Sequence, residues 1–186
     1  MPATAAWLFM ALPGIPEHSL AQHGEYVAAV PARSAYTPVP IGEVAPLLAT
    51  AERLSGLPPL PRGTVPAVWS VTEPQLQALV CKDEGAPCHG LQAVYDTDSN
   101  RILVLEWGRQ RGVEWESFVV HEYVHALQYA QRGAAIYATC EATRATEQQA
   151  YDVQDAYLKM HGALLRVGSR MWWWQCPGST LETAQQ

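Results

Sequence analysis

The chain has 186 residues, 48% of them hydrophobic and 16% charged, with a net charge of −6. This is a globular composition, long enough for a real core and within the range of one domain, and it excludes a disordered chain. Lysine is almost absent and no Lys/Arg cluster exists, which argues against a nucleic-acid partner, and no apolar run is long enough to span a bilayer.

Residues 1–21 resemble a signal segment, with the apolar run Ala5 to Leu12 and small residues around Ser19 and Ala21. No basic stretch precedes that run, so an N-terminal helix packed on the domain is the alternative. Residues 22–186 read as a single domain. Gln22 to Pro40 carry little pattern and read as an irregular lead-in. Ile41 to Leu54 reads as a helix with Pro46 near its first turn. Gly56 to Pro66 holds Pro58, Pro59, Pro61 and Pro66 and must be a loop.

Ala67 to Thr72 reads as a strand and Glu73 to Val80 as a short helix. Leu91–Tyr95 and Arg101–Leu105 are expected to pair as a hairpin around the turn-rich Asp96–Asn100. Val113 to Arg132 reads as a long helix with Glu114 and Glu116 in its first turn and Gly133 as an αL cap. Ala135 to Leu165 has few breakers and reads as a second long helix. The Met171-Trp-Trp-Trp-Gln175 run reads as an aromatic clamp over the core rather than a substrate pocket. The expected class is therefore α+β, a small antiparallel or mixed sheet packed on two long helices.

Cys81, Cys88, Cys140 and Cys176 make an even count that allows two disulfides, Cys81 with Cys88 and Cys140 with Cys176. That pairing, with the signal-like start, points to a periplasmic or secreted protein. The alternative is a cytoplasmic protein with four reduced thiols. No pattern in the chain sets an oligomeric state.

The first long helix carries His121-Glu122-Tyr123-Val124-His125, an HExxH pattern. Residues four apart stand one turn above each other, so both imidazoles can reach one Zn²⁺. Glu122 is placed to take a proton from a water that the metal polarises. Val119, Val120, Tyr123, Val124, Ala126, Leu127 and Ala130 leave this helix little solvated face, and buried charge needs a partner or a metal.

A catalytic zinc site normally has three protein ligands. Downstream candidates are Glu141, Glu147, Asp152, Asp155 and His161. At about 100° per residue, Glu147 projects with Cys140, Ala150, Tyr151 and Leu158, an inward stripe. Glu141 shares a more solvated side with Ala145, Gln148 and Asp152. Glu147 is the better inward carboxylate.

With HEYVH followed by Glu147-Gln148-Gln149-Ala150, the chain resembles the gluzincin zinc metallopeptidases over about residues 101–158. The small minigluzincin proteins, which pair HExxH with ExxA on the next helix, are the nearest likeness. The resemblance implies a zincin-like fold, Zn²⁺ bound by His121, His125 and Glu147, Glu122 as general base, and a peptide or protein substrate. It also implies an edge strand that lines the cleft and pairs with extended peptide, for which Arg101 to Glu106 is the candidate, with an interior strand as the equal alternative for that segment. Where larger gluzincins place an acid four residues after the ligand glutamate, this chain has Tyr151. Tyr151, Tyr157 and His161 are candidates for supporting a ligand or stabilising an oxyanion. Two other readings stay open: a zinc-containing module that binds or inhibits without cleaving, and a metal-free structural domain.

Overall fold

The computed structural model describes residues 36–80, 90–106 and 111–177. The signal-like segment 1–21 and the Cys81–Cys88 pair lie outside the described residues. Among the described residues the architecture is α+β: a four-stranded mixed sheet, four α-helices and two 3₁₀ turns. The strands are β1 (Thr37–Pro38), β2 (Ala67–Val71), β3 (Ala93–Asp96) and β4 (Arg101–Leu105), in the order β1-β2-β4-β3. The helices are α1 (Ile41–Ser55), α2 (Glu73–Val80), α3 (Val113–Arg132) and α4 (Cys140–Met160).

β4 lies between β2, to which it is parallel, and β3, to which it is antiparallel. It buries Ile102 and Val104 towards α1, α3 and α4, and Leu103 towards α2. An unbroken apolar run is what a strand covered on both faces requires. The expectation that Arg101 to Glu106 forms the sheet edge is therefore overturned. The edge beside α3 is β3, the other arm of the hairpin. Asp96 shapes that hairpin by accepting from the Asp98 and Ser99 N–H groups and pairing with Arg101 at 3.0 Å. Asn100 sits at φ 48°, a left-handed position that asparagine tolerates.

At the opposite edge, the irregular lead-in contains a two-residue strand, β1, which pairs with β2 at Ser70 and Trp69. Pro38 donates no backbone hydrogen bond, and an edge is where a sheet accepts proline. Pro46 lies inside α1, just beyond its first turn. Gly133 has the positive φ expected of a helix stop, but its ψ of −148° lies outside the αL region. The chain runs from there straight into a 3₁₀ turn, Gly133–Tyr137.

That turn divides what reads in sequence as one helix from Ala135 to Leu165. α4 starts only after Thr139, whose hydroxyl accepts the Ala142 N–H at 3.1 Å. Its far end is closed by Gly162 (φ 76°), with Ala163 N–H on the Leu158 carbonyl and Gly162 N–H on that of Lys159.

Two buried amides join α3 to α4. Gln154 donates to the Ser117 hydroxyl at 3.0 Å, and Gln128 donates to the Thr146 carbonyl at 3.0 Å. A Cys140–Cys176 disulfide ties the tail to the start of α4. Met171 and Cys176 of that tail are buried, while the side chains of Trp172 and Trp173 are not among those described. No helix among the described residues is long and apolar enough to cross a membrane.

Candidate metal centre

The middle of α3 is packed among the sheet, α1 and α4, so every residue from Val119 to Gln128 is buried. Two imidazoles and a carboxyl inside that run must find partners, because burying them alone is costly. The helical repeat stacks His121 under His125 and turns their Nε2 atoms to within 3.0 Å of each other. Glu147 reaches them from α4 and divides its carboxylate between them, Oε2 lying 3.4 Å from His121 Nε2 and Oε1 3.4 Å from His125 Nε2. A tetrahedral ion with bonds of about 2.0–2.1 Å holds its ligand atoms about 3.3–3.4 Å apart. The two imidazole nitrogens, 3.0 Å apart, each face their own carboxylate oxygen near that spacing. The three side chains form a set that could hold a metal ion.

Electrostatics separates the two carboxyls of the cluster. Burial raises the pKa of Glu122 above the ordinary carboxylate value, and the adjacent imidazoles only partly offset it. For Glu147 burial also raises the pKa, but the charges and hydrogen bonds of His125 and His121 overcome it and hold the group ionised well below its ordinary range. The same pair acts on His125: burial lowers its pKa, and Glu147 outweighs burial and carries it up to about 9 in the metal-free protein.

The sheet contributes one backbone group. Leu105 N–H donates to the Gln92 carbonyl, so the antiparallel alternation turns the N–H and C=O of Tyr95 towards the open edge. That N–H is bonded to the Glu122 carboxylate. The edge strand and the HExxH helix thus meet at the glutamate.

The expected supporting residues divide. Tyr151 packs against His121, with ring centroids 4.6 Å apart. Tyr157 gives its phenol to Glu116 at 2.7 Å, five residues before His121, and its ring packs on His161. His161 is exposed at the cap of α4. Neither Tyr157 nor His161 is brought to the cluster. Glu141 and Asp152 line an open hollow on the outer side of α4 with Arg144 and Gln148.

Two residues of the site went unnoticed in the sequence. Tyr137, in the 3₁₀ turn, lies with its ring 6.4 Å from His125. Burial and then the charges of Glu147 and Glu122 raise its pKa, so the phenol keeps its proton. Gln128 Oε1 accepts from His125 Nδ1 at 2.9 Å. An HExxH followed three residues later by an amide on the same face was the available signal for Gln128. Tyr137 offered none while its segment read as plain helix.

Residues 51–178 match a protein family described as Domain of unknown function (DUF6647). No curated protein and no solved structure matches the chain.

Proposed function

We propose that this chain, which belongs to the DUF6647 family, is a zinc-dependent peptidase of zincin-like fold and gluzincin type that hydrolyses peptide bonds. The observation that carries the proposal is the convergence of His121 Nε2 and His125 Nε2, 3.0 Å apart, on the Glu147 carboxylate, which sets one oxygen 3.4 Å from each. The donor chemistry, two imidazoles and one carboxylate, fits Zn²⁺ and leaves a position open. When bound, the ion would supply Lewis-acid activation of a water and of the scissile carbonyl.

Glu122 is the general base. Burial makes its carboxylate a better proton acceptor, and the Tyr95 N–H fixes its orientation. It then returns the proton to the leaving amine. Tyr137, held protonated beside both carboxylates, is the donor that stabilises the developing oxyanion. The open edge of β3, with the outward N–H and C=O of Ala93 and the C=O of Tyr95, is the surface on which an extended peptide can add as a strand. The Cys140–Cys176 disulfide supports a periplasmic or secreted location.

The test is metal content followed by hydrolysis. Purified protein should carry about one zinc per chain, His125→Ala should lose it, and a diverse peptide library should show chelator-sensitive cleavage by mass spectrometry. Glu122→Gln should keep the zinc and lose cleavage. Retention of full cleavage by zinc-loaded Glu122→Gln removes Glu122 as base. Zinc-dependent peptide retention without products replaces the peptidase by a binding module.

A further inference from the structure

We infer that Gln128 is a positioning residue: it fixes His125 as the Nδ1–H tautomer, aims Nε2 at the metal position, and locks the turn that carries Glu147 to the same point. Gln128 is completely buried, and its side chain has three partners. Its amide nitrogen donates to the Thr146 backbone carbonyl at 3.0 Å and to Gln149 Oε1 at 2.9 Å, and its amide oxygen lies 2.9 Å from His125 Nδ1.

One of these partners decides the orientation of all. An amide side chain can be turned over, exchanging oxygen and nitrogen, and an imidazole can carry its proton on either nitrogen. A backbone carbonyl only accepts. The Thr146 carbonyl therefore requires the nitrogen of Gln128 to face α4, which leaves the oxygen for His125. The reversed amide would set two acceptor oxygens against each other in a buried site. An oxygen facing Nδ1 requires a proton there, and the lone pair of the neutral ring is left on Nε2, the atom 3.4 Å from Glu147.

The same hydrogen bond grips the peptide unit between Thr146 and Glu147, so one side chain sets both ligands. His121 has no such support: its Nδ1 is buried without a hydrogen-bond partner among the described residues, and its ring rests on Tyr151. Polar orientation is concentrated on His125.

The affinity arm of this inference rests on the zinc reading above, and the tautomer arm does not. Imidazole ¹⁵N–¹H correlation spectra of the metal-free chain, taken where His125 is neutral, should show its proton on Nδ1. A proton on Nε2 overturns the inference whether or not the protein binds zinc. In chelator competition, Gln128→Met should bind zinc about 10–100-fold more weakly than wild type. Gln128→Glu should also bind more weakly, because its second carboxylate oxygen would face the Thr146 carbonyl. Gln149→Met keeps that carbonyl and should preserve the tautomer and the affinity within a few fold. Wild-type affinity in folded Gln128→Met overturns the positioning role while leaving the zinc site standing. Wild-type protein that takes up no zinc rejects the zinc reading, and the spectra then decide the role of Gln128 alone.

Discussion

Glu122 and Glu147 belong to one buried cluster, yet their surroundings drive them in opposite directions. Glu147 lies between two imidazoles and stays ionised, which suits the ligand role proposed for it. Glu122 is dominated by desolvation and becomes more basic, which suits the proposed base. Tyr137 completes the division, since the carboxylates beside it oppose its ionisation and preserve its phenol as a donor. Tyr137→Phe removes only the hydroxyl and leaves every ligand in place. It should retain zinc and lower kcat by about 10²-fold with little change in KM, the behaviour of a donor that acts on the transition state. Steady-state kinetics on zinc-loaded protein checks this, and an unchanged kcat would remove Tyr137 from the mechanism.

At the scale of elements, the site is made by two helices held in register and one interruption between them. Face reasoning found Glu147 because it lies seven residues into α4, where the helical repeat is regular. The start of α4 was hidden because Thr139 caps it with Ala142 at the third position, where a capping box would have shown glutamate or glutamine. Without that signal the 3₁₀ turn, and with it Tyr137, reads in sequence as part of a continuous helix. The interior place of β4 was legible in its unbroken Ile102-Leu103-Val104 run, whereas β1 was not, since two residues ending in proline carry no pattern.

The disulfide acts on this layer too. Its 36-residue separation corresponds to about 4 kcal/mol of restricted unfolded chain. Replacing Cys140 and Cys176 together by serine should lower Tm by about 10 °C. The Thr139 cap and the Gln128 and Gln154 links do not depend on the tail, so zinc affinity should stay within a few fold. Thermal melts with and without zinc separate the two effects, and equal loss of both would make the tail part of the metal cradle.

For the whole molecule, the buried His125–Glu147 pair couples folding to protons and, on the proposed zinc reading, to metal. His125 has a folded pKa of about 9 against an ordinary 6.5, so the folded metal-free state binds a proton that the unfolded state releases earlier. A raised imidazole pKa stabilises fully below about 6.5, and that contribution is lost as pH rises through about 9. Glu147 is shifted the other way from 4.5. Its contribution is present above 4.5 and is lost as pH falls towards its lower folded pKa. The pair thus stabilises the metal-free protein most between about pH 4.5 and 6.5, and its Tm should fall by several degrees between pH 6.5 and 9.

On the proposed zinc reading, metal binding cancels that slope. To coordinate through Nε2, His125 must give up the proton that Glu147 holds there, so metal uptake releases a proton and tightens as pH rises towards 9. A ligand at 100 times its Kd adds about 2.7 kcal/mol, which for a chain of this length is a rise in Tm of about 5–10 °C. At fixed free zinc that rise should be clearly larger at pH 8.5 than at pH 6. Paired melts with zinc and with chelator at the two pH values measure it directly. An equal zinc-induced rise at both would mean that His125 releases no proton on metal binding and is not a ligand through Nε2.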